Sequence, residues 1–157
     1  VLIREARAED WPGVADLLAQ LGRPDVRSTG EETAAREVFE RYLDRDHAVL
    51  LVAEEGGRVV GLLDMEYRVR LNFTSPQAWI PDLVVDEDTR SAGVGGALLG
   101  RAEELARERG CWGMTLESAT WRERAHAFYV REGWADTGKS FSKPLAEGLT
   151  WPPAPRP

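Results

Sequence analysis

The chain of 157 residues has little sulfur and little imidazole: one cysteine, Cys111, and two histidines, His47 and His126. A lone thiol forms no internal disulfide and suits a reducing compartment, so a cytoplasmic location is expected. Two isolated histidines are too few for a zinc site. No apolar run approaches the roughly 18 residues that a membrane-spanning helix needs. The opening stretch VLIREARAED carries charges where an export signal requires an apolar core, so no signal is expected there. Cationic excess is lacking too: 20 Lys and Arg stand against 27 Asp and Glu, a net charge of −7. That balance disfavours nonspecific binding to nucleic acid, whose phosphates need Lys and Arg. It favours a cationic partner through long-range steering, with solubility as its plainer role.

What the chain does have is 43% apolar and 30% charged residues, a composition that supports a folded core. One domain over 1–146 and a proline-rich tail over 147–157 are expected. VLIREA alternates like a strand. AEDWPGVADLLAQLG reads as a helix with Asp10 as N-cap, Pro12 in the first turn and Gly22 as its stop. RPDVRST reads as loop, and STGEETAAREVFERYLDRD as a second helix with acidic residues near its start. AVLLVAE and RVVGLLDMEYRV flank Gly56-Gly57 and predict a hairpin. AWIPDLVVD reads as a strand whose Pro81 predicts an edge, a bulge or interrupted pairing, because proline cannot donate to a ladder. VGGALLGRAEELARERG is a helix with a stripe of Leu98, Leu99, Ala102, Leu105 and Ala106, stopped by Gly110. CWGMTLES is a strand, WRERAHAFYVREG a helix ending at Gly133, and WADTGKSFSKPL a final strand or hairpin. The order β-α-α-β-β-β-α-β-α-β describes a mixed α/β sheet with helices on its faces.

The stretch VVDEDTRSAGVGGALL places glycines at 93, 95 and 96 between a strand and a helix. Free N–H groups and the helix dipole at such a turn attract anions. A P-loop would need Lys-Ser/Thr after the glycines, and none follows. A dinucleotide fingerprint needs G-x-G-x-x-G near the first strand; here Leu98 takes the last position and the motif lies mid-chain. What remains is R-x-x-G-x-G, carried by Arg90, Gly93 and Gly95 with Gly96 beside them.

With these residues the chain resembles the GNAT acetyltransferase superfamily. LVVDEDTRSAGVGGALL is similar to that family's coenzyme A pyrophosphate loop, and RERAHAFYVREGW to its second signature, a helix carrying Ala-x-x-Phe-Tyr-x-x-x-Gly-aromatic. The likeness runs over roughly residues 2 to 145. It implies a mostly antiparallel mixed sheet with helices on both faces, acetyl-CoA as cofactor, and transfer of an acetyl group to an amine by direct attack in a ternary complex. It also implies that Leu83, Val84 and Val85 hold the pantetheine on a splayed strand. The pyrophosphate would rest against Ser91, Ala92, Gly93, Val94, Gly95 and Gly96, with Arg90 adding a cation. Many members carry Asn three residues before the motif Ala, where this chain has Arg122; Arg122 is therefore a candidate for a cofactor phosphate.

The same resemblance implies Tyr129 as the acid for the leaving thiolate, since a phenol with pKa ~10 is protonated at neutral pH and can donate to a thiolate of pKa ~8.5. Asp82 is the first candidate for the base. Asp64 and Glu66 share a face of the preceding strand and are candidates to line the acceptor pocket or bind its ammonium. Glu117 is a further base candidate, and a water chain can replace any single base. His126 is read as structural. LESATWRERAHAFYVREGW and KSFSKPL resemble members that acetylate small molecules such as aminoglycosides or aminoalkylphosphonates. A primary amine of a small molecule, a polyamine included, is thus the expected acceptor. The loops 23–30 and 70–77 are expected to shape its choice. The competing readings are a protein N-terminus or lysine as acceptor, a non-catalytic acyl-CoA-binding sensor, and a plain α/β domain for another phosphate ligand. A homodimer is common in the family, with Trp121 and Trp151 as candidate interface residues.

Overall fold

In the computed structural model, residues 1–89 and 93–145 are described. Strand β1 (Leu2–Glu5) leads through a 3-10 turn (Ala8–Asp10) into α1 (Trp11–Leu21), followed by α2 (Val26–Thr29) and α3 (Glu32–Leu43). Strands β2 (Ala48–Glu55), β3 (Arg58–Arg68), β4 (Gln77–Ile80) and β5 (Leu83–Val85) follow, then α4 (Val94–Glu108), β6 (Met114–Leu116) and α5 (Glu123–Arg131). Val1–Leu116 forms one compact unit, and the chain from Glu117 forms a second.

The first unit holds a six-stranded sheet of order β1-β2-β3-β4-β6, with β5 also on β3. All pairings are antiparallel except β4 with β6. The β2–β3 hairpin turns on Gly56 and Gly57 at φ 57° and 78°, the left-handed pair that a tight hairpin matching strand twist requires.

Both faces of the sheet are covered. Leu50, Val52, Leu62 and Val84 face one way and meet Trp11, Val14 and Leu17 of α1 and Phe39 of α3. Trp11 and Phe39 pack with ring centroids 5.4 Å apart. On the other face Gly61 lets α4 come close: a Cβ at 61 would stand 3.0 Å from Leu98 and from Val94. The expected α4 stripe is present, with Leu98, Leu99, Ala102 and Ala106 buried and Leu105 half-buried. Gly22, Gly110 and Gly133 adopt left-handed φ at the helix ends where stops are expected.

Three expectations need correction. Asp10 takes the expected N-cap position of α1, but its side chain does not bond the helix; the buried carboxylate is drawn instead to the Arg4 guanidinium (2.7 and 2.8 Å) and the Arg7 N–H (2.7 Å). An ion pair with a bidentate guanidinium outcompetes a single amide. The helix expected over residues 28–46 is confined to Glu32–Leu43, because Gly30 turns left-handed at φ 75°, and the stretch expected as loop holds a separate helical turn over Val26–Thr29 capped by Asp25. The final strand expected over WADTGKSFSKPL does not form through residue 145; Phe141 and Leu145 are 91% exposed, so no apolar face anchors a register. Residues 146–157, including Trp151, lie outside the described residues.

Candidate active site

Where β3 changes partner, the ladder breaks. Glu66 pairs with Trp79 and Leu63 with Leu83, so three steps along β3 face four along the other side. One residue is in excess around Pro81 and Asp82, which is a β-bulge, as Pro81 predicts. Beyond it, Asp64 N–H donates to the Asp82 carbonyl at 3.1 Å and Asp86 N–H to the Val60 carbonyl at 2.9 Å. Residues 82, 84 and 86 therefore turn their backbone groups toward β3. By the alternation of a strand, Leu83 and Val85 turn their N–H and C=O the other way. On that side β6 accompanies β4 only as far as Ile80, opposite Leu116. The outer edge of β5 has no strand partner among the described residues.

The strand runs on to α4. Gly93 caps this helix at φ 79°, a left-handed conformation that favours glycine, with nothing within 4 Å of its Cβ direction. The first helical bond runs from Ala97 N–H to the Gly93 carbonyl at 3.0 Å. The amides of Val94, Gly95 and Gly96 thus precede the helical ladder, at the positive end of the dipole. Gly93 has no side chain to cap them, and among the described residues no acidic residue sits in the first turn. Arg90, Ser91 and Ala92 lie outside the described residues.

Charged side chains gather at the bulge on the α1 and α3 face. Asp64 Oδ1 accepts the Asp82 N–H at 2.7 Å, and Asp64 Oδ2 accepts the Tyr42 hydroxyl at 3.4 Å. Burial, together with the charges of Asp82 and Glu66, pushes the Asp64 pKa up to about 7. Burial and the charges of Asp64 and Glu66 also hold the Tyr42 phenol above its usual range. Asp82 is engaged differently: its Oδ1 accepts Arg23 Nη2 at 2.5 Å and Nε at 3.1 Å, and its side chain is 16% exposed. Arg45 meets Glu66 at 3.2 Å. The Arg68 guanidinium lies over the Trp79 ring, whose Nε1–H is buried with no hydrogen-bond partner among the described residues.

In the second unit Tyr129 is half-buried on α5, with ring centroids 5.3 Å from Phe128 and 6.2 Å from Trp134. Burial raises its pKa against the opposing charge of Arg122, so the phenol is protonated at neutral pH. Phe128 is half-buried as well. Arg122 immediately precedes α5, and its carbonyl accepts the His126 N–H at 3.0 Å. Glu117 is exposed, and Trp121 is 38% exposed.

The first unit therefore brings Asp82, Asp64, Glu66 and the β5 edge together, whereas Tyr129, Arg122, Glu117 and His126 belong to the second. Tyr42 and Arg23 were not individually legible as site residues. An aromatic at a helical core spacing and an arginine after a helix stop carry no local mark of the carboxylates they meet.

Residues 6–134 match the model of the acetyltransferase (GNAT) family. The chain belongs to the GNAT acetyltransferase family. The acetyltransferase is 30% identical over 143 residues to aminoalkylphosphonate N-acetyltransferase of Salmonella typhimurium, covering 91% of this chain and 90% of that protein. Its fold is shared with glucosamine-6-phosphate N-acetyltransferase of Arabidopsis thaliana (TM-score 0.77, 23% identity, 92% and 98% of the two chains). It is shared also with AAC(6')-Iy, solved with the bisubstrate analogue CoA-S-monomethyl-acetylneamine (TM-score 0.75, 21% identity, 92% and 97%). As a GNAT enzyme the acetyltransferase uses acetyl-CoA. The residues present fit that group: the β5 edge, without a strand partner among the described residues, could offer peptide groups to a pantetheine arm, and the first amides of α4 could offer donors to a pyrophosphate. No helix among the described residues is long and apolar enough to cross a membrane.

Proposed function

We propose that this acetyltransferase acetylates the primary amine of a small molecule, by direct attack while both substrates are bound. The observation that carries the reading is the open edge of β5 beside a cluster of carboxylates at the same bulge. Bound acetyl-CoA supplies the acetyl group as an activated thioester. Leu83 and Val85 offer outward N–H and C=O groups to the pantetheine, with Val84 keeping their strand on β3. Gly93, Val94, Gly95 and Gly96, with Arg90, Ser91 and Ala92 of the same loop, take the pyrophosphate, and Arg122 a further phosphate. Tyr129 gives its proton to the leaving sulfur, a role that suits a phenol held protonated by burial. A carboxylate at the bulge accepts the proton that the ammonium must lose before it becomes a nucleophile.

The acceptor side is of mixed charge. Asp64 and Glu66 suit an ammonium, while Arg68 suits an anionic substituent on the same molecule. That pairing favours an aminoalkylphosphonate or an amino sugar phosphate, and the Salmonella relative supports the former. The test has two stages. Calorimetry with acetyl-CoA, against ATP as control, measures cofactor binding. Thiol release is then followed with aminomethylphosphonate, glucosamine 6-phosphate, neamine, spermidine and a lysine peptide. Turnover of a small amine with intersecting initial-velocity lines is expected; turnover of the peptide alone, or parallel lines, would refute the reading.

A further inference from the structure

Two carboxylates stand at the bulge, and their surroundings separate their roles. Asp82 Oδ1 takes both Nε and Nη2 of Arg23, a guanidinium that is charged at every working pH. Both bonds end on the one oxygen, so the Asp82 carboxylate is already engaged in holding a guanidinium. Asp64 has the opposite setting. Its side-chain partners are a backbone N–H and a phenol, both neutral donors, and it forms no ion pair among the described residues.

The charged and titratable groups facing Asp64 from each packed element are Glu66 on its own strand, Tyr42 on α3, and Asp82 at the start of β5. The nearby cations are committed: Arg45 pairs with Glu66, and Arg23 with Asp82. The excess at this spot is negative, and a substrate ammonium would complete it. Asp64 is also fixed in place, because the Asp82 N–H and Tyr42 O–H hold its two oxygens separately.

We propose that Asp64 is the residue that receives the acceptor's ammonium and takes its proton, and that Asp82, clamped by Arg23, is a positioning residue for the bulge. The proposal rests on the acetyl-transfer reading above. The step is a transfer of one proton: the ammonium N–H bond breaks, its electron pair remains on nitrogen, and Asp64 becomes a neutral carboxylic acid. The proton then leaves to solvent, restoring the carboxylate. A neutral-range affinity for protons suits this task, and Asp64 is raised to that range by burial and by its two acidic neighbours.

The first experiment needs no turnover. Carboxyl carbon NMR of the resting protein, assigned with Asp64→Asn, reads the titration of Asp64 directly. A midpoint in the neutral range, moved by addition of aminomethylphosphonate or another amine turned over by the wild type, is expected. A midpoint near 4 would overturn the proposal.

The second experiment is the pH profile of kcat/KM at saturating acetyl-CoA. Wild type is expected to lose activity on acidification through about pH 7. Asp64→Asn should lose roughly 10²–10⁴-fold in rate and lose that acid limb, and Asp64→Glu should recover both in part. Asp82→Asn should raise KM and keep the limb. If Asp64→Asn keeps the limb and Asp82→Asn loses it, the roles are reversed and the proposal fails. If wild type binds acetyl-CoA yet acetylates no amine, the acetyl-transfer reading itself fails, and the role of Asp64 in it falls too. The NMR midpoint tells these failures apart.

Discussion

Asp64 holds both backbone groups of Asp82: its carboxylate accepts the Asp82 N–H at 2.7 Å, and its own N–H donates to the Asp82 carbonyl at 3.1 Å. One residue thus fixes the shape of the bulge at which β4 gives way to β5. The arrangement has a cost, since Asp64 is driven up to about pKa 7.

The sign of that cost is testable through stability. The unfolded chain releases the Asp64 proton near pH 4. The folded chain keeps it until about pH 7. Between these values the native state binds more protons, so stability is greatest below pH 4 from this group and declines as pH rises to 7. Asp64→Asn keeps an oxygen for the Asp82 N–H and removes the titration. Urea unfolding at pH 5 and pH 8 should show the variant gaining on wild type at the higher pH, by on the order of 1–2 kcal/mol once solvent screening is allowed for. An unchanged difference between the two pH values would remove Asp64 as the titrating group.

Gly61 links the sheet to α4, the helix proposed to offer amides to the pyrophosphate. Its added Cβ would lie 3.0 Å from Leu98 Cδ1 and Val94 Cγ1, and 3.2 Å from Ala53 Cβ. Gly61→Val brings two more carbons into that space. Overpacking of this kind costs about 1–3 kcal/mol and is relieved by moving whatever can move. Val94 is the first residue of α4, so the relief tilts the turn carrying the free amides. A lower thermal midpoint together with at least tenfold weaker acetyl-CoA binding by calorimetry is expected. Lost stability with unchanged affinity would mean that the strain is relieved elsewhere.

Much of this was legible in the chain because local chemistry dictated it. Pro81 broke a ladder that lacked a donor, Gly56-Gly57 turned a hairpin, and Gly22, Gly110 and Gly133 took left-handed φ at helix ends. The pairing of Asp64 with Tyr42, or of Asp82 with Arg23, was not legible, because the partners lie 22 and 59 positions apart and only the closed sheet brings them together. The strand or hairpin expected after Trp134 failed to form for the opposite reason. Its alternation was weak, and Gly138, Ser140 and Ser142 gave it little apolar surface to bury. Asp10 misled in another way: its type suits an N-cap, yet Arg4 on the neighbouring strand made the better offer.

That Arg4–Asp10 pair supplies a prediction about acid stability. Asp10 is 6% exposed, and the Arg4 guanidinium holds its carboxyl below the usual carboxylate range. With the folded pKa depressed, the stabilisation is present above the unfolded pKa near 4 and is lost as pH falls through the lower folded value. Asp10→Asn leaves Arg4 with Glu54 as its remaining carboxylate, at 2.8 Å. Breaking a buried pair from one side costs about 3–5 kcal/mol, and the shared guanidinium places this case toward the lower figure. Chemical denaturation should show a loss of about 3 kcal/mol at pH 7 that shrinks toward pH 3. A loss independent of pH would point to packing and not to charge.

Tyr129 tests the division between holding acetyl-CoA and turning it over. Its phenol is half-buried against Phe128 and Trp134 and is kept protonated by burial, so it has a proton to give at neutral pH. Tyr129→Phe deletes one oxygen and leaves the ring and its neighbours in place. If the phenol protonates the departing thiolate, the variant should bind acetyl-CoA within a few-fold of wild type and lose roughly 10²-fold in kcat. The loss should be smaller for an acyl donor whose thiol is more acidic, because a better leaving group needs its proton less. A rise in KM for acetyl-CoA with kcat unchanged would instead make Tyr129 part of the binding surface. Equal losses with both donors would remove it from the proton transfer, leaving water to protonate the sulfur.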